Sequence, residues 1–149
     1  MSEGQTVRRI RRAARVLVLD PDERLLLFRF TFTRRPFWAT AGGECEPGES
    51  FEAAARRELF EETGLEAEPG PAIHARGNDF VTAEGEPVTA DERYFRIRVP
   101  SFKVDTSGHT DLERRIMQDH RWFTRAELED WHEAIFPPEL LEILDKHAG

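Results

Sequence analysis

Apolar residues are arranged along the chain in patterns that predict both strands and helices. Residues 13–19 form an apolar, β-branched run typical of a buried strand. In residues 24–32, every second position from Phe28 is a phenylalanine, which indicates a strand with one apolar face. The turn sequence at residues 20–23 separates the two runs, so we expect an antiparallel pair. Further strands are predicted at residues 37–40, 72–81, 93–99 and 121–123, with loops at residues 82–91 and 101–110.

Helices are indicated by their start and stop signals. Ser50 is a good N-cap for a helix over residues 50–63, and Gly64 can adopt the left-handed conformation that ends it. Thr124, with Glu127 three residues later, forms a capping box that begins a helix through about His132. A helical turn is expected at residues 113–118 and a last helix at residues 139–147. The pattern predicts one domain over residues 1–149, with helices packed on a mixed sheet.

Bulk composition limits the classes of function. The chain has 149 residues, of which 39% are hydrophobic, as expected for a globular domain with its own core. The net charge of -8 disfavours binding to a nucleic acid duplex or an anionic membrane, although a small phosphorylated substrate is compatible with it. No apolar run is long enough to span a membrane, and the polar, basic N-terminus does not predict a secretory signal. The lone Cys45 excludes an intrachain disulfide, so a cytoplasmic location is expected.

Three carboxylates share one face of the helix predicted at residues 50–63. Glu58, Glu61 and Glu62 stand at i, i+3 and i+4, so their charges would repel one another unless a cation compensated them. Mg²⁺ takes oxygen ligands, and it can polarise a phosphoryl group and activate a water molecule. The alternative is a solvated acidic helix face, which is the common explanation for such a cluster on its own.

The cluster belongs to a 23-residue segment in which nine residues stand at fixed spacing. They are Gly43, Glu49, Arg57, Glu58, Leu59, Glu61, Glu62, Gly64 and Leu65. The segment resembles the signature box of the Nudix hydrolase family. Nine specified positions are a strong signal, unlike a lone glycine motif.

The resemblance implies a fold, a reaction and a cofactor. Nudix enzymes are α/β/α sandwiches around a mixed β-sheet, within the α/β (α+β) class. They hydrolyse a nucleoside diphosphate linked to another group, by attack of water at phosphorus, with Mg²⁺ or Mn²⁺. The resemblance therefore implies a small nucleotide-like substrate. It also implies that metal is bound by the backbone carbonyl of Gly43 and by the three glutamates of the helix, Glu58, Glu61 and Glu62.

The resemblance also assigns supporting roles and shows one departure. Arg57 and Glu49 support the site in this family, and their spacing predicts a salt bridge that holds the loop on the helix. The general base is one of the box glutamates or a glutamate outside the box. Many members have Leu-Pro before the paired glycines, where this chain has Thr40 and Ala41. Losing the proline leaves the entry to the loop less constrained.

Acidic residues late in the chain are candidates for a further metal ligand. Glu113 is the first candidate, with Asp119 and Asp111 behind it. For each of them, an ordinary surface acid is an equally good explanation.

Substrate-binding candidates lie on the predicted strands and in the segments between them. Arg29 and Arg35, together with Arg34, could bind phosphate groups, since guanidinium suits bidentate contacts, or they could be edge charges. Trp38 and Phe80 could stack on a base or belong to the core.

Two other functions share this fold in principle. A regulatory module that binds a nucleotide without cleaving it typically lacks box carboxylates, whereas this chain keeps all of them. An isomerase of isoprenoid diphosphates would need a Cys and Glu pair in its pocket, which Cys45 in the metal loop fits poorly. The identity of the nucleotide and the oligomeric state, a homodimer included, stay open.

Overall fold

The computed structural model describes residues 8–146, which form seven strands and four helices. The strands are β1 (Arg9–Leu19), β2 (Leu25–Phe30), β3 (Phe37–Glu44), β4 (His74–Val81), β5 (Pro87–Arg98), β6 (Met117–Phe123) and β7 (Ala134–Phe136). The helices are α1 (Phe51–Thr63), α2 (Asp111–Ile116), α3 (Arg125–Glu129) and α4 (Leu140–Lys146).

The strands form one mixed sheet in the order β4-β5-β1-β2-β3-β7, with β6 on the other edge of β2. β1 runs parallel to β5 along its whole length and antiparallel to β2 and β3. Its middle residues pair with the end of β3, whereas Leu19 pairs with Leu25 of β2. Because β1 changes partner along its length, the sheet curls.

Helices cover both faces of the sheet. Successive residues of a strand point to opposite faces, and β1 is apolar on both. Val16 packs in a cluster with Leu59 of α1. Leu17 packs in a second cluster with Leu128 of α3 and Ile143 of α4. The predicted fold class, an α/β/α sandwich around a mixed sheet, is confirmed.

Several element boundaries differ from those predicted. The loop predicted at residues 82–91 was wrong in its second half, because β5 begins at Pro87. There, Val88 and Ala90 are buried between polar residues, and the pairing with β1 extends the strand beyond its apolar centre. The three-residue β7 was not predicted, since it is too short to show a period. α3 ends at Glu129, and His147 of the predicted last helix lies outside the described residues.

Two bulk expectations can be compared with the structure. Cys45 is a buried free thiol within the cluster that α1 covers. Within residues 8–146, none of the helices combines the length and the apolar character needed to cross a membrane.

Candidate active site

The glycine pair lies at the end of β3 rather than in a free loop. Thr40 and Ala41, which replace the usual Leu-Pro, are buried within β3 and pair with Leu27 and Val16. Strand pairing therefore holds the entry to the loop where the proline is missing. After the loop, the Ser50 side chain accepts a hydrogen bond from the amide of Ala53, which begins α1 as predicted.

The two glycines allow β3 to lie close to β1 at Gly42 and close to α1 at Gly43. The amide of Gly42 donates to Oε1 of Glu62 at 2.8 Å. A Cβ atom on Gly42 would lie 2.0 Å from the carbonyl oxygen of Ala14, and one on Gly43 would lie 2.7 Å from the Glu58 carboxylate. A side chain at Gly42 would collide with backbone, and one at Gly43 would displace the Glu58 carboxylate, so the carboxylates of Glu58 and Glu62 lie directly against the strand backbone.

Three carboxylates converge beside the glycine pair. Glu58, Glu62 and Glu113 each place a possible ligand oxygen within 4.8 Å of the others, and we call them the carboxylate group. Glu62 is fully buried, and its Oε2 has no hydrogen-bond partner among the described residues. Burial, reinforced by the neighbouring acids, raises the pKa of Glu62 well above its usual range and that of Glu58 to about 7. Arg57 donates a hydrogen bond to Glu58, but burial still raises the pKa of both helix acids, and the all-oxygen donor set of the group fits a hard divalent cation.

Glu61 is separate from the carboxylate group. Its side chain is 35% exposed, and one oxygen lies 3.4 Å from Nη1 of Arg57. Of the three predicted helix ligands, the structure therefore brings two together with Glu113 and leaves Glu61 towards solvent.

Arg57 connects the loop to the helix. Its Nε and Nη2 donate to the two carboxylate oxygens of Glu49 at 2.9 and 2.8 Å, which is the predicted salt bridge in bidentate form. Nη2 also donates to the carbonyl of Glu44, and Nη1 donates to Oε1 of Glu58 at 2.8 Å. The hydrogen bonds from Arg57 lower the pKa of Glu49. Arg57 thereby fixes the loop and orients Glu58.

The segment before α2 brings Glu113 to α1. The amide of Asp105 donates to the carbonyl of Thr63, and the His109 ring lies 3.0 Å from the carbonyl of Glu62. These contacts satisfy carbonyls that have no partner within the helix. Thr110 then caps α2 in a capping box with Glu113, the third residue of that helix. The sequence prediction missed His109 and Thr110, although the spacing of Thr110 and Glu113 is itself a capping-box signature.

The other two acids considered late in the chain lie outside the carboxylate group. Asp111 is exposed and 3.6 Å from Arg114. Asp119 is exposed on β6, where it pairs with Arg29 of β2. Glu113 is therefore the acid outside the box that the structure places against Glu58 and Glu62.

Two of the residues considered for substrate binding are engaged in structural contacts. Nη2 of Arg29 lies 2.8 Å from Oε2 of Glu133, and Nε1 of Trp38 donates to Oε1 of the same carboxylate at 2.9 Å. Trp38 is buried, with Phe123 and Trp131 packed edge-on against it. Trp38 is thus enclosed by other side chains with its indole N–H hydrogen-bonded, and Arg29 is ion-paired, so both take part in contacts within the protein.

The remaining candidates are more accessible. Arg34 and Arg35 are exposed between β2 and β3. Phe80 is half-buried, and the guanidinium of Arg11 lies 5.7 Å from its ring centroid. Arg11 is a residue that sequence reasoning did not single out, since a basic strand end carries no motif.

Comparison with known proteins identifies the family to which this architecture belongs. The NUDIX domain is matched by residues 9–144. Nudix hydrolase 19, chloroplastic, from Arabidopsis thaliana is 28% identical over 76% of this chain and 24% of its own length. The oxidized purine nucleoside triphosphate hydrolase of Danio rerio is 37% identical over 54% of this chain and 50% of its own length. The chain thus spans between about a quarter and a half of the length of these relatives.

Solved structures agree on the fold. A MutT protein from Methanosarcina mazei Go1 has a TM-score of 0.70 at 16% identity, and the alignment covers 95% of each chain. A NUDIX hydrolase from Nitrosomonas europaea has a TM-score of 0.67 at 22% identity, with 92% of this chain and 87% of that chain covered. The family resemblance seen in residues 43–65 is confirmed by the domain match over residues 9–144, and the chain belongs to the Nudix family.

Proposed function

We propose that this chain is a divalent-metal-dependent hydrolase that cleaves a diphosphate linkage in a nucleoside diphosphate derivative. The observation that carries this proposal is the state of Glu62, which is fully buried and has an unpartnered oxygen among the described residues. Beside it stand Glu58 and Glu113, two further acids without enough positive charge to balance them. A solvated acidic face would not bury its carboxylates, so a bound cation explains the arrangement better.

The residues of the site would have different roles, as metal ligands or as supports for those ligands. Glu58, Glu62 and Glu113 would hold Mg²⁺ or Mn²⁺, and the backbone carbonyl of Gly43 and the more exposed Glu61 are further candidate ligands. A cation bound there neutralises charge on the phosphates and lowers the pKa of water. Arg57 keeps Glu58 in place through its hydrogen bond, and the bidentate pair with Glu49 keeps the loop against the helix. Such supporting contacts commonly change metal affinity or activity by about 10- to 100-fold when they are lost.

We propose small nucleotide-like molecules as substrates. Two relatives carry names that refer to oxidised purine nucleotides, the Danio rerio enzyme and a putative 8-oxo-dGTP diphosphatase of Bacillus subtilis. Both align with limited parts of this chain, so nucleotide sugars and ADP-ribose belong beside oxidised nucleoside triphosphates as candidates. Phe80 and Arg11, whose ring centroid and guanidinium lie 5.7 Å apart, are proposed as candidates for contacts to a base and to an anionic group.

A substrate panel with Mg²⁺ or Mn²⁺, with products identified by mass, tests the proposal. We expect metal-dependent hydrolysis at one phosphorus for at least one nucleotide. Glu62→Gln should retain the fold and lose activity by orders of magnitude, because its amide cannot neutralise a cation. Full activity of this variant would overturn the proposal. Tight nucleotide binding with no turnover across the panel would identify a nucleotide-binding module instead.

We propose a cytoplasmic location for the protein. Cys45 is a buried free thiol. A reducing compartment maintains cysteines in this state.

A further inference from the structure

The acid that α2 contributes to the carboxylate group also caps its own helix. The hydroxyl of Thr110 accepts a hydrogen bond from the amide of Glu113 at 3.1 Å. The amide of Thr110 donates in return to Oε1 of Glu113 at 2.9 Å. Such a box satisfies backbone donors at a helix start and needs only one carboxylate oxygen. The carboxylate of Glu113 can therefore keep the cap and offer an oxygen to a cation beside Glu58 and Glu62.

The position of Thr110 is set by contacts with the C-terminal end of α1, the helix that carries Glu58 and Glu62. A Cβ atom on Gly108 would lie 2.6 Å from the carbonyl oxygen of Glu61, so this segment packs tightly on α1. His109 is buried, and its Nε2 lies 3.0 Å from the carbonyl oxygen of Glu62. Because a carbonyl only accepts, Nε2 carries the hydrogen of this bond. The cap of α2 is thus registered directly against the end of α1 that carries Glu61 and Glu62.

We propose that Thr110 is a positioning residue for the metal site, acting through its capping box on the carboxylate of Glu113. A glutamate that is already held in its binding rotamer loses less conformational entropy when it binds a cation. The capping box therefore raises metal affinity, although Thr110 itself is not a ligand. This inference rests on the proposed function, because it requires that the carboxylate group binds a divalent cation.

The chain contains a matched control for this idea. Thr124 and Glu127 form a second capping box at the start of α3, with the same two hydrogen-bond lengths of 3.1 and 2.9 Å. The backbone angles also agree, with φ -71 and ψ 166 at Thr110 and φ -74 and ψ 163 at Thr124. α3 packs through Leu128 in the cluster on the other face of the sheet. Removing either hydroxyl should cost the same hydrogen bond from the amide of the third helical residue, although Glu127 is also ion-paired with Arg121. Only the box of Thr110 includes a carboxylate of the group.

Titration of the full chain with Mn²⁺ in the absence of substrate provides the test. We expect Thr110→Ala to weaken Mn²⁺ binding by about three- to tenfold, the factor that corresponds to a typical N-cap substitution. Thr110→Ser should bind Mn²⁺ as the wild type does, because it restores the hydroxyl. Thr124→Ala should lower the melting temperature about as much as Thr110→Ala while leaving Mn²⁺ affinity unchanged. Glu113→Gln should weaken binding more than any of them.

Each contrary result is distinct. Wild-type affinity in Thr110→Ala, with weakened binding in Glu113→Gln, would show that the cap does not position the ligand. Wild-type affinity in Glu113→Gln would remove Glu113 from the metal site, and the inference with it. An equal loss in Thr124→Ala would mean that affinity follows general stability. If the wild type bound no Mn²⁺ at all, both this inference and the proposed function would fail, whereas the first three results leave the proposed function standing.

Discussion

Two carboxylate centres of this molecule differ in how their charge is compensated. Glu133 accepts hydrogen bonds from Arg29 and Trp38, and these bonds lower its pKa to about 2. Glu58 and Glu62 are buried among other acids, and burial raises the pKa of both. The Glu133 carboxylate is stable when it is ionised, whereas Glu58 and Glu62 favour their protonated forms in the absence of a cation.

The difference separates scaffold from function. A compensated carboxylate holds its neighbours together and gains nothing from a ligand. A buried carboxylate with too little positive charge nearby lowers the stability of the ligand-free fold. Such carboxylates are typical of sites that bind a ligand. By this criterion we propose that the functional site is the carboxylate group and that Glu133, Arg29 and Trp38 support the sheet. Each of the following changes tests one side of this comparison.

Among the changes that test this comparison, the largest effect is expected from Gly43→Ala. The new methyl group would lie 2.7 Å from the Glu58 carboxylate, so that carboxylate must leave its place beside Glu62. We expect activity and Mn²⁺ affinity to fall by roughly 10- to 100-fold or more, as for other displaced metal supports. Steady-state kinetics and metal titration would measure this. Gly77→Ala on β4 is the control, because its methyl group would meet only the carbonyl oxygen of Ala90, at 3.1 Å. Unchanged activity in Gly43→Ala would place the metal elsewhere.

The predictability of these regions differs for a physical reason. The helix α1 and its carboxylates could be predicted because Ser50, the acidic face and Gly64 are all encoded within one continuous segment. The ion pair between Arg29 and Glu133 could not be predicted, since the two residues are 104 positions apart and only the folded sheet brings them together. The second half of the site needs both kinds of information. The capping box of Glu113 is local, but its place beside Glu62 depends on how His109 packs on α1.

The pH dependence of stability should reflect the raised pKa of Glu58 in the carboxylate group. With its pKa raised to about 7, Glu58 is protonated in the ligand-free fold at pH values where the unfolded chain is ionised. The folded state then binds more protons, so its stability falls as the pH rises from about 4.5 to about 7. Since Mg²⁺ needs ionised ligands, it should raise the melting temperature more at pH 8 than at pH 5.5. Calorimetry with EDTA and with Mg²⁺ would measure this, and equal Mg²⁺ shifts at both pH values would contradict it.

The smallest effect on catalysis is expected at the compensated centre. Glu133→Gln removes the charge that Arg29 faces but keeps an oxygen for the indole of Trp38, so the fold should become modestly less stable, as expected when a partly exposed ion pair is lost. Activity of the folded variant should stay close to that of the wild type, because none of these groups belongs to the carboxylate group. Arg29→Met should do the same or slightly more, since it leaves the Glu133 carboxylate without its cation. Denaturant unfolding and kinetics on the same samples separate the two effects. A large loss of turnover in Glu133→Gln at unchanged stability would reverse the assignment and make Arg29 a substrate ligand, as the sequence alone had suggested.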